Sequence, residues 1–204
     1  MLKVKRFINE LMSSNCYIIF DETFDDCIVI DPASEKCVEE QSFFNEKGIT
    51  PSYIVLTHEH TDHTWGTNIL IDKFDVKVVC SKVCSENLLK EFSAYFSFYY
   101  NDIDYKYNVK RIDILLEDIN YHLIWHGREI KFFNTPGHSM GSVCLQIEDM
   151  LFTGDTWMQY KPYINKRNGS KVLYKENLQK LKNYASEKNL TIYPGHGDPF
   201  NPYN

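Results

Sequence analysis

The sequence predicts an α/β protein that folds as a four-layer αββα sandwich. Short runs rich in β-branched and aromatic residues, which are typical of strands, alternate with segments whose apolar residues recur at helical spacing. Strands followed by a helix occur twice along the chain, and this order places helices on the outer faces of two packed sheets. The chain of 204 residues is long enough for a sizeable core, so we expect one domain over residues 1–204.

The first half of the chain supplies strands and helices in alternation. Three β-rich runs come first: KVKRFI, NCYIIF and CIVI. A helix is predicted over residues 35–47, where the apolar spacing stops at Gly48, and a buried strand over SYIVLT (52–57). These are followed by a helix over WGTNILIDKF, a strand over VKVVC and a helix over residues 81–91.

The second half begins with an aromatic-rich segment at about residues 91–110, which has eight Phe and Tyr residues between 91 and 107. Two interpretations stay open: a helix that packs its rings on the core or on a second copy in a homodimer, which we favour, and a lid over the active site. Four strand-like runs follow: YHLIW, REIKFFN, SVCLQIE and MLFTG. A helix over residues 175–188 and a last strand, LTIYP, complete the order.

Composition and charge exclude several classes of protein. The formal net charge is −6 and the pI is near 5.6, which argues against a surface that coats nucleic acid. No apolar run approaches the roughly 20 residues that span a bilayer, and the start of the chain lacks the features of a signal peptide. The six cysteines lie mostly within apolar runs and are predicted to be buried thiols. We therefore expect a cytoplasmic protein that binds neither nucleic acid nor membranes.

Three histidines and an aspartate crowd one short stretch, THEHTDHTWG (57–66). Residues two apart in an extended segment point to the same side, so His58 and His60 can hold one ion together. Asp62 and His63 follow where the chain turns toward a helix. Three more ligand-type residues each follow a predicted strand and lie among Gly and Pro: His138, Asp155 and His196.

These seven residues form a predicted metal centre. Imidazole and carboxylate together suit Zn²⁺ best, and also Fe or Mn, whereas Ca²⁺ prefers oxygen ligands alone. Seven ligands are too many for one tetrahedral zinc ion and predict two ions, with Asp155 as the bridging carboxylate. The first ion is expected to bind His58, His60 and His138. The second is expected to bind Asp62, His63 and His196.

The motifs resemble those of the metallo-β-lactamase fold superfamily. THEHTDHTWG is similar to the THxHxDHxxG motif of that family, and TPGHSMGS, FTGDT and PGHG match its remaining motifs in the same order. The phrases NCY, IDP, TPGHSMGSV and LFTGDT are most similar to the glyoxalase II (hydroxyacylglutathione hydrolase)-like branch. The resemblance implies the αββα fold and a dinuclear metal centre with the ligand roles given above.

The predicted reaction is hydrolysis of a thioester, ester or lactone. A water shared by two divalent ions loses a proton near neutral pH and becomes the nucleophile, and Asp62 is expected to orient it as the catalytic carboxylate. The site keeps about one positive charge, which favours a small anionic substrate. Lys166 and Arg167, which follow Asp155 in the chain, are either a clamp for that anion or ordinary solvated side chains.

The same fold and ligands leave other functions open. A phosphodiesterase or RNA-processing nuclease uses the same kind of ions, although the acidic chain disfavours nucleic acid. A β-lactamase is disfavoured by the bridging role expected of Asp155, whereas a single-iron persulfide dioxygenase shares the motifs. A sensor or scaffold is disfavoured because open metal positions usually serve catalysis. Metal analysis and a panel of substrates separate these classes.

Overall fold

A computed structural model describes residues 1–90, 107–117 and 121–203 of the protein. A six-stranded sheet forms one half of this structure. The first three strands are antiparallel, and the remaining ones join in parallel, so that the strands lie side by side in chain order. They are β1 (Lys3–Ile8), β2 (Asn15–Phe20), β3 (Asp26–Ile30), β4 (Thr50–Val55), β5 (Lys77–Ser81) and β6 (Ile114–Leu116).

The second sheet has five strands and packs face to face on the first. Its order is β11-β10-β9-β8-β7, with a parallel pair at the β11 edge and antiparallel pairs elsewhere. The strands are β7 (His122–Trp125), β8 (Arg128–Asn134), β9 (Val143–Ile147), β10 (Met150–Gly154) and β11 (Thr191–Pro194).

Helices cover the outer faces of both sheets. Those described are α1 (Val38–Lys47), α2 (Thr61–Thr64), α3 (Thr67–Lys73), α4 (Lys82–Leu88) and α5 (Lys171–Lys188). Helices α1, α3 and α4 bury Phe44, Leu70 and Leu88 against the first sheet, and α5 buries Leu181 and Ala185 against the second.

Alternation along the strands supplies the core between the sheets. On β2, Ile19 belongs to the cluster between the sheets, whereas its neighbour Ile18 belongs to the cluster under the helices. Phe132 and Phe152 join the same cluster from the second sheet, and the Phe152 ring contacts Tyr17 of β2. The layers are therefore helix, sheet, sheet and helix, and the predicted αββα fold class is confirmed.

The structure corrects several predicted boundaries. Helix α1 begins at Val38 instead of residue 35, because Cys37 has a φ of 44°, which a helix does not accommodate. Helix α4 ends at Leu88. Helix α5 begins at Lys171 instead of residue 175, because the Ser170 hydroxyl accepts a hydrogen bond from the Leu173 amide at 3.3 Å and caps the helix there. Strand β6 has three residues and was not predicted.

Most of the aromatic-rich segment, residues 91–106, lies outside the described residues, so the lid and the interface both stay predictions. The end of that segment is described. Tyr107 is buried, its hydroxyl donates a hydrogen bond to the Thr64 carbonyl, and the buried Val109 donates from its amide to the Leu88 carbonyl at 2.9 Å.

The state of the cysteines and the character of the helices bear on two expectations from composition. All six cysteines are buried and none forms a disulfide, as predicted for small apolar side chains. Within the described ranges, no helix has the length and apolar character needed to cross a membrane.

The topology brings several loops to one edge of the sandwich. Strands β8, β10 and β11 run in the same direction, so the loops at their carboxyl ends lie together. The loop after β4 joins them through a hydrogen bond from the Val143 amide to the Thr57 carbonyl at 2.8 Å, across the two sheets. Each of these loops carries residues of the predicted metal centre.

Candidate metal centre

Three imidazoles from the two sheets form the first ligand group. His58 and His60 follow β4, and His138 follows β8. The His60 Nδ1 atom lies 3.0 Å from His58 Nε2 and 3.0 Å from His138 Nε2. Tetrahedral zinc with bonds of about 2.0–2.1 Å separates its nitrogen ligands by about 3.3 Å, so this spacing is close to that of a filled site. The group matches the predicted ligands of the first ion.

A second group lies beside the first and consists of Asp62, His63 and His196. His60 is extended and precedes the first residue of α2, and the helical turn that follows directs the next residues to a neighbouring position. Asp62 Oδ2 lies 3.3 Å from His196 Nε2 and 3.7 Å from His63 Nε2. These are the residues that the sequence assigned to the second ion.

Asp155 lies between the two groups. Its Oδ1 atom is 3.4 Å from His63 Nε2 and 3.6 Å from His196 Nε2, whereas its Oδ2 atom is 3.4 Å from His138 Nε2. Each oxygen thus faces a different group, an arrangement that suits a bridging carboxylate. Gly195 makes this approach possible, because a Cβ atom there would lie 2.3 Å from Asp155 Oδ1.

Hydrogen bonds fix the tautomers of three of the histidines. His63 Nδ1 donates to Asp31 Oδ2 at 2.9 Å, and His196 Nδ1 donates to the Met12 carbonyl at 3.2 Å. The Thr57 hydroxyl donates to Asp31 Oδ2 at 2.6 Å, so it accepts from His58 Nδ1 at 3.0 Å. With these outer nitrogens protonated, the Nε2 atom of each neutral ring has a lone pair available for a metal ion.

Asp31 is a site residue that sequence reasoning did not assign a role. It is buried, has a φ of 52°, and accepts further hydrogen bonds from the Thr57 amide at 2.8 Å. It therefore holds both the start of the histidine-rich loop and the His63 ring. The only signal in the sequence was its place in the IDP phrase at the end of a strand.

Burial and charge set the protonation states of the ligands. Burial lowers the pKa of His58 and His60, and that of His138 to about 4, which keeps these rings neutral and able to bind a metal. For Asp155, burial alone would raise the pKa, but the surrounding histidines, His63 foremost, together outweigh it and hold the pKa well below its usual range. Burial likewise opposes charge on His63, and the surrounding carboxylates, Asp155 foremost, raise its pKa nevertheless. The second group therefore attracts positive charge.

The donor set fits divalent metal ions. Among the described residues, the buried His63 Nε2 and Asp155 Oδ1 atoms have no hydrogen-bond partner. Leaving such atoms unsatisfied costs about 1–3 kcal/mol each, and a cation between them would satisfy both. Imidazole nitrogens with carboxylate oxygens are the ligands that zinc, iron and manganese share.

The structure does not bring every predicted residue into the cluster. Lys166 and Arg167 are exposed on a turn, and within the described chain neither side chain forms an ion pair or hydrogen bond with the seven ligands. That turn nevertheless packs on the His138 loop, because the Asn168 carbonyl accepts from the Met140 amide at 2.9 Å. The remaining histidines lie elsewhere, as predicted: the partner of His122 is Glu129, and that of His126 is Asp26.

Comparison with known proteins identifies the family. The sequence profile of the Metallo-beta-lactamase superfamily matches residues 10–196, which includes all seven ligand-type residues. The chain belongs to the metallo-beta-lactamase superfamily. The resemblance inferred from the motifs is therefore confirmed, and so is its branch at the level of sequence similarity, because the matched relatives include a hydroxyacylglutathione hydrolase.

That hydroxyacylglutathione hydrolase, from Pelagibacter ubique, is 31% identical to this metallo-beta-lactamase superfamily chain over 155 residues. The match covers 74% of the chain and 54% of the relative, so the chain spans about half the length of that enzyme. The B3 metallo-beta-lactamase BLEG-1 superposes with a TM-score of 0.83 at 22% identity, covering 98% of this chain and 94% of that one. The protein TTHA1623, solved in a di-iron-bound form, superposes with a TM-score of 0.74 at 20% identity, covering 97% and 94%.

Proposed function

We propose that the protein is a dinuclear metal-dependent hydrolase that cleaves a thioester, ester or lactone bond in a small anionic substrate. One observation carries the proposal: two groups of three ligand-type residues lie side by side, with one carboxylate between them. A single-ion site needs only one such group. The di-iron form of TTHA1623, which has the same fold, is in keeping with two ions.

Zinc, or alternatively iron or manganese, bound by these residues supplies an activated water nucleophile at neutral pH and Lewis acidity toward the substrate carbonyl. The chain positions the reaction around that chemistry. Asp62 is the more exposed of the two carboxylates, with 18% of its side chain accessible against 9% for Asp155. Its Oδ atoms are therefore the ones that orient an attacking water and accept its proton. Asp155, enclosed by histidines, is the proposed bridging ligand and does not take up that proton.

The charge of the two ions is not enough to favour an anionic substrate, because nearby carboxylates offset it. Asp31 contacts His63 directly and adds a negative charge that the count from sequence left out. With Asp31 included, two divalent ions and a hydroxide leave the site close to neutral. Lys166 and Arg167, on the turn against the His138 loop, are then the nearest candidates among the predicted residues to supply positive charge. A relative named hydroxyacylglutathione hydrolase suggests a thioester with a carboxylate-bearing thiol as the first compound to test.

A panel of substrates tests the proposed reaction. Zinc-loaded protein is expected to hydrolyse a glutathione thioester or a lactone, because both present a carbonyl to the ions, and to leave bis-p-nitrophenyl phosphate nearly untouched. Protein stripped with a chelator and passed through the same assays is the control and should be inactive. Turnover of the phosphodiester alone would indicate a phosphodiesterase. Oxygen consumption with a persulfide, in protein that retains one iron, would indicate a dioxygenase.

The anion clamp has its own test in the 166–167 turn. Replacing Lys166 and Arg167 together by Ala should raise KM for anionic thioesters by roughly 10-fold, about 1.4 kcal/mol, and leave neutral esters nearly unchanged. The physical reason is that only an anion gains from the two cations, while the ligands of the ions are untouched. Replacing Lys175 and Lys180 on α5 by Ala removes the same charge and serves as the control. Equal effects of the turn variant on both substrate classes, or none, would return the pair to ordinary solvated side chains.

A further inference from the structure

Glu59 lies between His58 and His60 in the loop after β4, but its side chain contacts Ser139 and Asn87 instead of the two histidines. Its carboxylate is buried and accepts hydrogen bonds from the Ser139 hydroxyl at 2.6 Å to Oε1 and 2.7 Å to Oε2. The Asn87 side chain on α4 donates to Oε1 at 3.0 Å. None of the ligand assignments above involves this carboxylate.

The hydrogen-bond partner of Glu59 is next in the chain to a proposed metal ligand. Ser139 follows His138, is fully buried, and accepts a hydrogen bond from the Gly141 amide at 3.0 Å. Gly141 itself is close to the carboxylate, since a Cβ atom there would lie 2.7 Å from Glu59 Oε2. The loop is thus folded tightly around Glu59.

The position of the loop matters because the first ligand group draws on both sheets. His58 and His60 extend from β4 of the first sheet, whereas His138 extends from β8 of the second. Their nitrogens must stay within about 0.5 Å of the coordinating arrangement to bind an ion well. The Glu59–Ser139 contact is a charge-assisted link between the residues next to these ligands, and such links are stronger than neutral ones.

We propose that Glu59 is a positioning residue that fixes His138 relative to His58 and His60 through its hydrogen bond with Ser139. The inference deepens the proposed function and rests on metal binding at the first group. The Glu59 carboxylate is held by Ser139 and Asn87, so it acts through the loop of His138 and not as a ligand. It determines how firmly the three imidazoles are held in register when an ion binds.

Stepwise binding of Co²⁺ to metal-free protein, followed by visible absorption, tests this role without any assay of hydrolysis. Glu59→Gln and Ser139→Ala should each weaken one of the two binding steps by about 10- to 100-fold and alter the absorption of that ion, because outer hydrogen-bond partners of ligands have effects of this size. The other Co²⁺ binding step should keep its wild-type dissociation constant. The double variant should bind no more weakly than the worse single variant, since both changes break the same contact.

Ser81→Ala is the matched control. The Ser81 hydroxyl donates to the Gly141 carbonyl at 2.7 Å and caps α4, so it anchors the same loop without touching Glu59. We expect it to lower the thermal stability and to leave both Co²⁺ steps and the spectrum unchanged.

Three results would overturn the role of Glu59 alone: wild-type binding in both single variants, additive losses in the double variant, or an equal loss in Ser81→Ala. Wild-type protein that binds no Co²⁺ would instead overturn the proposed function, and the role of Glu59 with it. Glu59→Gln preserves the size of the side chain and is therefore used in place of Glu59→Ala, which could fail to fold.

Discussion

Asp155→Ala should reduce the metal content of zinc-saturated protein from about two ions per chain to about one. Asp155 contacts both ligand groups, with Oδ1 near His63 and His196 and Oδ2 near His138. Removing it takes a ligand from each ion and leaves the two cations without the anion between them. The second ion should be lost first, because both contacts of Oδ1 are to its ligands. Elemental analysis after equilibration with excess zinc measures the change.

The loss of activity should be larger than the roughly 100-fold that follows from removing an outer hydrogen-bond partner, since a direct ligand is lost. Asp198→Ala is the matched control, because it removes a carboxylate two residues after His196 that is 79% exposed and pairs only with Arg6 in the described structure. That control should keep both ions and wild-type turnover. Wild-type protein that saturates at one ion in excess zinc would contradict the dinuclear assignment.

The ligand-type residues were predictable because each follows a strand and belongs to a short motif. His58 and His60, two residues apart in the loop after β4, lie together, and the turn into α2 directs Asp62 and His63 to the next position. The convergence of these residues with those from β8, β10 and β11 then follows from the topology of the two sheets. Local rules of this kind operate within a few residues and can be read from the sequence.

The residues that hold the ligands were not predictable in the same way. Asp31 reaches His63 from 32 positions away, and Glu59 reaches Ser139 from 80 positions away. Their carboxylates have the same chemistry as those of Asp62 and Asp155, so residue type does not separate a ligand from its support. Only tertiary contacts decide whether such a carboxylate is a metal ligand or supports one, and these contacts depend on how the loops of the two sheets pack.

The predicted starts of two helices were wrong for a related reason, because tertiary or local backbone contacts set them. The start of α5 is set by the Ser170 cap, and that of α1 by the left-handed backbone at Cys37, neither of which alters the apolar periodicity. Strand β6 exists because β5 offers it a hydrogen-bonded edge, with Cys80 opposite Leu115. A run of three residues has too little alternation to indicate a strand without that neighbour.

His63→Ala and His58→Ala should have different effects on metal binding, and this difference tests the partition of the ligands. His63 belongs to the second group, so its loss should remove one ion while His58, His60 and His138 still hold the other. His58 is a member of the first group and also lies within 4.8 Å of ligand atoms of His63 and Asp155. Its loss should therefore lower total metal binding more.

The kinetic consequence of His63→Ala should appear mainly in kcat. The residues His58, His60 and His138 would still hold one ion, which would supply Lewis acidity toward a carbonyl, so substrate binding and KM should change little. Activation of the water and stabilisation of the leaving group are interactions made in the transition state, and their loss should lower kcat by roughly 100-fold, or about 2.7 kcal/mol. His122→Ala, which removes a half-exposed histidine paired with Glu129 on β8, is the control and should keep both ions and full turnover.

Loss of His63 removes one hydrogen bond to Asp31, so the affinity of the remaining ion should be measured as well. Asp31 keeps its hydrogen bonds from the Thr57 amide and hydroxyl at 2.8 and 2.6 Å, so the loop that carries His58 should stay in place. The first ion should then bind His63→Ala with close to its wild-type affinity, which a zinc titration measures beside stoichiometry and kcat. Two ions and near wild-type turnover in His63→Ala would show that His63 is not a ligand and that the partition is wrong.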